Sequence, residues 1–373
     1  MSAQVRAVPS SLDPTVPTEI PVSSQQIPTT TRTTPHPRWL LRIEAGVWRF
    51  LQQIGLFFHN LPNPSPKPPS FLRHFPTTIV SGVETSALEL AFYVPDDYFI
   101  KIREGKRYPV VVNFHGGGFT MGTAKDDGRW ATAVLEQVDA MVVSVEYRLA
   151  PEYPFPTGVE DGVEAMLYLA ANAEEYGIDL KKMAVSGFSA GGNMTFAILL
   201  RLQAHLESIK NEAESKAIQE SRPSTPHLPQ VVSIIAWYPN VDNRLTREER
   251  RAACVRPDKT LPPLLTNLCD ESYMPDLQHK LSPYASPAAA SDDSLETALP
   301  ENIAIYLCEW DMLKQEGEVF AKRLTQLGKK VHYVIIKGRR HGFDKGPNPF
   351  TFDPQATLHY LEACAMLRDA FGQ

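Results

Sequence analysis

The chain has no excess of basic residues. Its 37 Lys and Arg against 43 Asp and Glu leave a formal net charge of −6, so no global positive field draws it to nucleic acid. Cysteine is scarce. Cys254, Cys269, Cys308 and Cys364 are widely spaced and form no C-x-x-C pair or Cys/His cluster. That pattern argues against a disulfide framework and a structural zinc site. At 373 residues the chain can bury a sizeable core without either. No basic segment followed by an apolar one opens the sequence, so a secretory signal is not expected and the cytoplasm is the expected location.

Proline is abundant instead, with 32 residues, twelve of them in the first 70. Residues 1–38 are rich in Pro, Thr and Ser and hold too little apolar surface to offset the entropy of ordering, so they are expected to be a disordered tail. From Trp39 to His59, Leu40, Ile43, Val47, Phe50, Leu51, Ile54, Phe57 and Phe58 recur at helical spacing. Arg42, Glu44, Arg49, Gln52 and Gln53 interrupt the pattern, which excludes a membrane-spanning segment. A helix packed on the body of the protein is the first reading, and a helix lying on a membrane surface the second. Pro62, Pro64, Pro66, Pro68 and Pro69 then predict a stiff, extended connection.

Beyond residue 76 the pattern alternates. Strands are predicted at Thr77–Ser81, Leu88–Val94, Val110–Phe114, Met141–Val145, Met183–Ser186, Val231–Trp237, Ile303–Cys308 and Val331–Ile336. Helices are predicted at Arg129–Val138, Gly158–Tyr176, Asn193–Leu206 and Gln315–Leu327. Several strands are continuous apolar runs, as strands buried on both faces are. This alternation predicts an α/β fold, a mainly parallel sheet with helices on both sides. Glu207–Gln230 reads as a solvated helix extension and a surface loop. Asn240–Pro283 is far longer than an ordinary connection and is expected to form a lid or binding segment.

Gly187-Phe188-Ser189-Ala190-Gly191 stands where a β-rich run meets a helical one, the setting a nucleophile elbow requires. A serine hydroxyl needs a base, and the base needs an acid to orient it. In chain order the acid and then the histidine should follow, each just past a strand. Asp311 follows Ile303–Cys308, and His341 follows Val331–Ile336. Asp311 would hold the tautomer of His341, and His341 would take the Ser189 proton. Glu309 is the competing acid. Acyl transfer also needs donors for a developing oxyanion. His115-Gly116-Gly117-Gly118-Phe119 follows a strand some 70 residues before the elbow, where an oxyanion loop belongs. The N–H groups of Gly117, Gly118 and Ala190 are assigned to the oxyanion. Gly116, Gly187 and Gly191 shape the turns, and His115 supports the loop.

Together with Tyr147-Arg148-Leu149-Ala150-Pro151-Glu152, Trp310-Asp311-Met312-Leu313 and His341-Gly342-Phe343, these segments resemble the hormone-sensitive-lipase-like branch of the α/β-hydrolases over roughly residues 76–370. The resemblance implies an eight-stranded, mostly parallel sheet and a carboxylic-ester hydrolase that needs no metal or cofactor. It also implies a two-part helical cap, here residues 39–75 (cap helix and linker) and about 240–283, on a hydrolase body of residues 76–373. Arg148, Glu152 and Asp161 are then structural. A small to medium apolar ester is the expected substrate. A tailoring hydrolase of secondary metabolism acting on an acetyl ester or lactone, and non-hydrolytic chemistry in the same pocket, are the alternatives. A ligand-binding receptor on this fold is disfavoured because such proteins tend to lose the histidine. One position departs from the family pattern: Phe188 stands where Asp is usual.

Overall fold

The computed structural model describes residues 36–77, 85–217 and 229–373, with the side chains of 211–217 excepted. The expected tail therefore lies outside the described residues up to position 35.

Eight strands form one sheet: β1 (Phe71–Pro76), β2 (Ala87–Tyr93), β3 (Tyr108–Phe114), β4 (Met141–Glu146), β5 (Ile178–Phe188), β6 (Val231–Trp237), β7 (Asn302–Cys308) and β8 (Lys330–Ile336). Their spatial order is β1-β2-β4-β3-β5-β6-β7-β8. β1 and β2 pair antiparallel to their neighbours, and the pairs from β4 through β3 to β8 are parallel. The helices are α1 (Arg38–Asn60), α2 (Tyr98–Arg103), α3 (Gly128–Gln137), α4 (Thr157–Ala171), α5 (Ala190–Ala217), α6 (Arg247–Ala252), α7 (Pro263–Tyr273), α8 (Asp292–Ala298), α9 (Lys314–Gln326) and α10 (Pro354–Phe371).

The apolar strand runs are buried because both sheet faces are covered. Val110, Val112 and Phe114 of β3 point into a core shared with Val163 and Met166 of α4, Phe196 and Ile198 of α5 and Phe320 of α9. Val111, one residue out of phase, belongs to the opposite core with Trp130 and Val134 of α3 and Tyr360, Cys364 and Leu367 of α10. The period-2 alternation of a strand thus feeds two cores at once.

Three expectations move. The strand expected at Thr77–Ser81 is instead β1 at Phe71–Pro76, and residues 78–84 lie outside the described residues. Phe71 stacks on its register partner Phe92 at 4.6 Å, and Phe75 stacks on Tyr168 of α4 at 4.2 Å. The helix expected to reach Tyr176 ends at Ala171, where Asn172 folds its side-chain amide back onto the Tyr168 carbonyl at 2.8 Å. α10, absent from the sequence reading, is capped by Asp353, begins with Pro354, and ends at Gly372 in the left-handed region.

The segment between β6 and α8 carries α6, α7 and two 3-10 turns, Leu277–Leu281 and Pro287–Ala289. A buried ion pair fixes it to the body: Arg250 meets Glu316 of α9 at 2.8 Å, and Glu316 also accepts the Val241 N–H at 2.9 Å. The Arg148–Asp161 pair, at 2.6 Å and buried, likewise holds the turn after β4 to α4.

Candidate active site

β5 runs straight into α5, and Ser189 is the residue between them. Its φ of 54° lies in the left-handed region. A non-glycine residue seldom adopts it, and here it marks a strained turn at a functional position. The turn is tied down on both sides. The Ser189 N–H donates to the Trp237 carbonyl at 2.8 Å, and the Asn193 N–H returns to the Ser189 carbonyl at 3.0 Å. Only glycine fits at 191, because a Cβ there would overlap the Phe114 carbonyl oxygen of the neighbouring strand.

The residues past β7 and β8 meet this serine. The Ser189 hydroxyl donates to Nε2 of His341 at 2.7 Å. Nδ1–H of the same ring donates to Oδ2 of Asp311 at 2.6 Å. Asp311 is 2% exposed, and its other oxygen accepts the Leu313 N–H at 3.1 Å. A carboxylate on Nδ1 holds the tautomer in which Nε2 is an acceptor. The ring edge of Tyr238 packs on His341 at 4.8 Å, and Asp344 accepts the Tyr238 hydroxyl. Glu309, the competing acid, is turned away. Its carboxylate takes Lys337 Nζ at 3.2 Å and the Gly338 N–H at 2.7 Å.

Gly116, Gly117, Gly118 and Ala190 line one cavity with Ser189 and His341. Gly117 and Gly118 hold φ values of 113° and 62°, conformations that favour glycine. His115 stands behind them, fully buried, its ring stacked on Tyr147 at 4.2 Å, while the Tyr147 hydroxyl donates to the His115 carbonyl at 2.8 Å. Gly187 and Gly191 lie behind the cavity wall in the turn itself.

The cavity has a volume of about 280 Å³. Leu261, Leu265, Cys269, Tyr273 and Met274 from the long segment form one part of its wall; Gln52, Gly55 and Leu56 of α1 form another. Burial pushes the Cys269 thiol up to about 12, so at neutral pH it is an uncharged wall group. Among the described residues no group of three or more His, Cys, Asp or Glu could hold a metal ion.

Phe188, the departure from the family pattern, is stacked on Trp237 and capped by Lys345 Nζ at 4.0 Å from the ring centre. Lys345 also lines the cavity. Burial opposes its charge, but Asp127 at 2.8 Å and Asp344 at 3.6 Å outweigh that and raise its pKa. The sequence does not single out Lys345 or Asp127. Nothing in their local spacing signals that they pair beside Phe188, because the end of β5 meets residues from after β3 and after β8 there.

A serine at a strained strand-to-helix turn, hydrogen-bonded to a histidine past the last strand of such a sheet, defines the α/β-hydrolase class. A model of the alpha/beta hydrolase fold family matches residues 111–345, and the chain belongs to that family, in its hormone-sensitive-lipase-like branch. Neutral cholesterol ester hydrolase 1 of Rattus norvegicus is 29% identical over 84% of this chain and 88% of its own length. An AB hydrolase superfamily protein of Schizosaccharomyces pombe is 30% identical, the match spanning 63% of each chain. An arylesterase of Saccharolobus solfataricus is 31% identical over 64% of this chain and 69% of its own. Among solved structures, the Pyrobaculum calidifontis esterase superposes with a TM-score of 0.67 at 26% identity, covering 90% of this chain and 99% of that one.

Proposed function

We propose that the protein is a serine carboxylic-ester hydrolase working through an acyl-enzyme. The observation that carries the reading is the hydrogen-bonded line Ser189–His341–Asp311, at 2.7 and 2.6 Å, opening on a cavity. Ser189 Oγ attacks the ester carbonyl as His341 Nε2 takes its proton. Asp311 stabilises the resulting imidazolium. The N–H groups of Gly117, Gly118 and Ala190 are assigned to the oxyanion, the last at the start of α5 where the helix dipole adds to them. His341 then delivers its proton to the leaving alcohol, and water attacks the acyl-enzyme by the reverse sequence.

The largely apolar wall made by Leu261, Leu265, Met274 and Leu313 supports a small to medium apolar ester. α1 and residues 240–283 both contribute to the wall, which supports reading them as the two parts of a cap. Turnover of p-nitrophenyl esters of graded chain length tests the proposal. Ser189→Ala should lower kcat by about 10⁴-fold or more. Unchanged turnover in that variant refutes the nucleophile, and no turnover by the wild type refutes ester hydrolysis.

A further inference from the structure

α1 carries apolar residues on both faces. The face it turns to the protein buries Leu41 and Ala45 and adds a set of polar contacts. The Arg38 guanidinium donates to the carbonyls of Glu271, Ser272 and Pro151. Arg49 donates to the Thr120 and Ala150 carbonyls at 2.9 Å and pairs with Glu152 at 2.8 Å. Gln52 donates to Asp126 at 3.0 Å. The face it turns to solvent is apolar. Trp39, Ile43, Val47, Phe50, Ile54 and Phe57 recur every three or four residues in one stripe and are 42–66% exposed. Exposed apolar surface of this extent marks an interaction site.

We propose that this face docks on a lipid surface, with α1 lying flat in the interface. Three elements each pair a cavity-lining residue with an exposed apolar one. α1 lines the cavity with Leu56 and exposes Phe57; α7 lines it with Leu265 and exposes Leu264; the loop of residues 346–353 lines it with Pro347 and exposes Phe350, 85% exposed. His59 at the end of α1 meets the Gly346 carbonyl of that loop at 3.2 Å. Exposed apolar residues therefore stand on three of the elements that line the cavity holding Ser189, where a lipid phase could hand over an apolar molecule. Charge agrees. The stripe itself carries no charged side chain, Arg42 lies exposed beside it, and Glu44, the single acid of α1, is paired with His36 at 3.3 Å. Such a border complements anionic headgroups. Among the described residues no helix is long and apolar enough to cross a membrane, so the contact is with one interface.

The test is vesicle flotation of the full chain, with phosphatidylcholine alone and with added phosphatidylserine, beside a variant carrying Phe50→Ser and Phe57→Ser. Both positions are exposed and outside the catalytic line, so hydrolysis of a short, water-soluble ester should stay within about twofold. The wild type should float with the vesicles, more with phosphatidylserine, and the variant should lose at least ten-fold in partitioning. A wild type that stays in solution, or a variant that floats equally, overturns the proposal. So does a dimer seen by light scattering that the two substitutions dissociate, which would give the face to a second copy. Flotation that appears only after removal of residues 1–35 would give it to that segment. Because flotation is read without catalysis, it stands or falls separately from the esterase reading.

Discussion

At the scale of single residues, two carboxylates two positions apart follow β7, and their surroundings separate them. Asp311 is buried and hydrogen-bonded to His341. Glu309 is held at the surface by Lys337 and the Gly338 N–H, which lower its pKa, the Gly338 contact most. Asp311→Asn should therefore cost about 10³–10⁴-fold in kcat, because an amide on Nδ1 favours the wrong tautomer of His341. Glu309→Gln should leave kcat within about twofold. Steady-state kinetics on one ester with both variants decides it, and the reverse ranking would make Glu309 the acid. Sequence order already pointed to Ser189, Asp311 and His341, because each follows closely on the end of a strand. It did not place Lys345 over Phe188. That contact joins loops far apart in the chain, and its energy comes from a buried cation that two carboxylates keep charged.

At the scale of elements, α1 depends on its two ends. Arg38 anchors the first, and His59 the second. The His59 ring is buried, Nδ1 meets the Gly346 carbonyl, and the Arg129 guanidinium donates to the His59 and Pro62 carbonyls at 2.9 and 3.0 Å. Burial first, then the nearby Lys345 charge, lowers the His59 pKa to about 4. Its ordinary value is about 6.5, so between the two the unfolded chain binds the extra proton. Stability should thus be fully present above about pH 6.5 and fall as the pH drops towards 4, by up to about 3 kcal/mol from this group. Urea titrations at pH 7.5 and 5, compared with His59→Gln, measure it; an equal pH dependence in both proteins would remove His59 as the cause. The helix itself was legible, since its spacing spans twenty residues. Which face it buries was not. A periodic apolar stripe ordinarily points inward, and here the buried Leu41 and Ala45 with the hydrogen bonds of Arg38, Arg49 and Gln52 hold the opposite face to the body and leave the stripe outward.

At the scale of the whole molecule, the long segment between β6 and β7 must hold its part of the cavity wall while lying outside the sheet. The buried Arg250–Glu316 pair links it to α9, and through α9 to the residues just beyond Asp311. Removing one partner leaves the other charge buried and uncompensated, which costs about 3–5 kcal/mol. Arg250→Met and Glu316→Gln should each destabilise by about that amount. The double variant should cost less than the sum of the two, as a double-mutant cycle by urea unfolding would read. Strict additivity would show that the two side chains act separately.

The sequence by itself determined the strand and helix alternation and pointed to the serine, acid, histidine and glycine loops at the strand ends, because these depend on spacing within short segments. It also identified the two stretches that stand apart from the sheet. Tertiary structure alone decided that β1 begins at Phe71, that α1 turns its apolar face outward, and that Lys345 covers Phe188. Each of these rests on contacts between segments distant in the chain, whose geometry no local pattern encodes. The proline-rich front, so distinct in composition, thus leads into a helix whose role is set by what its inner face bonds to and what its outer face leaves open.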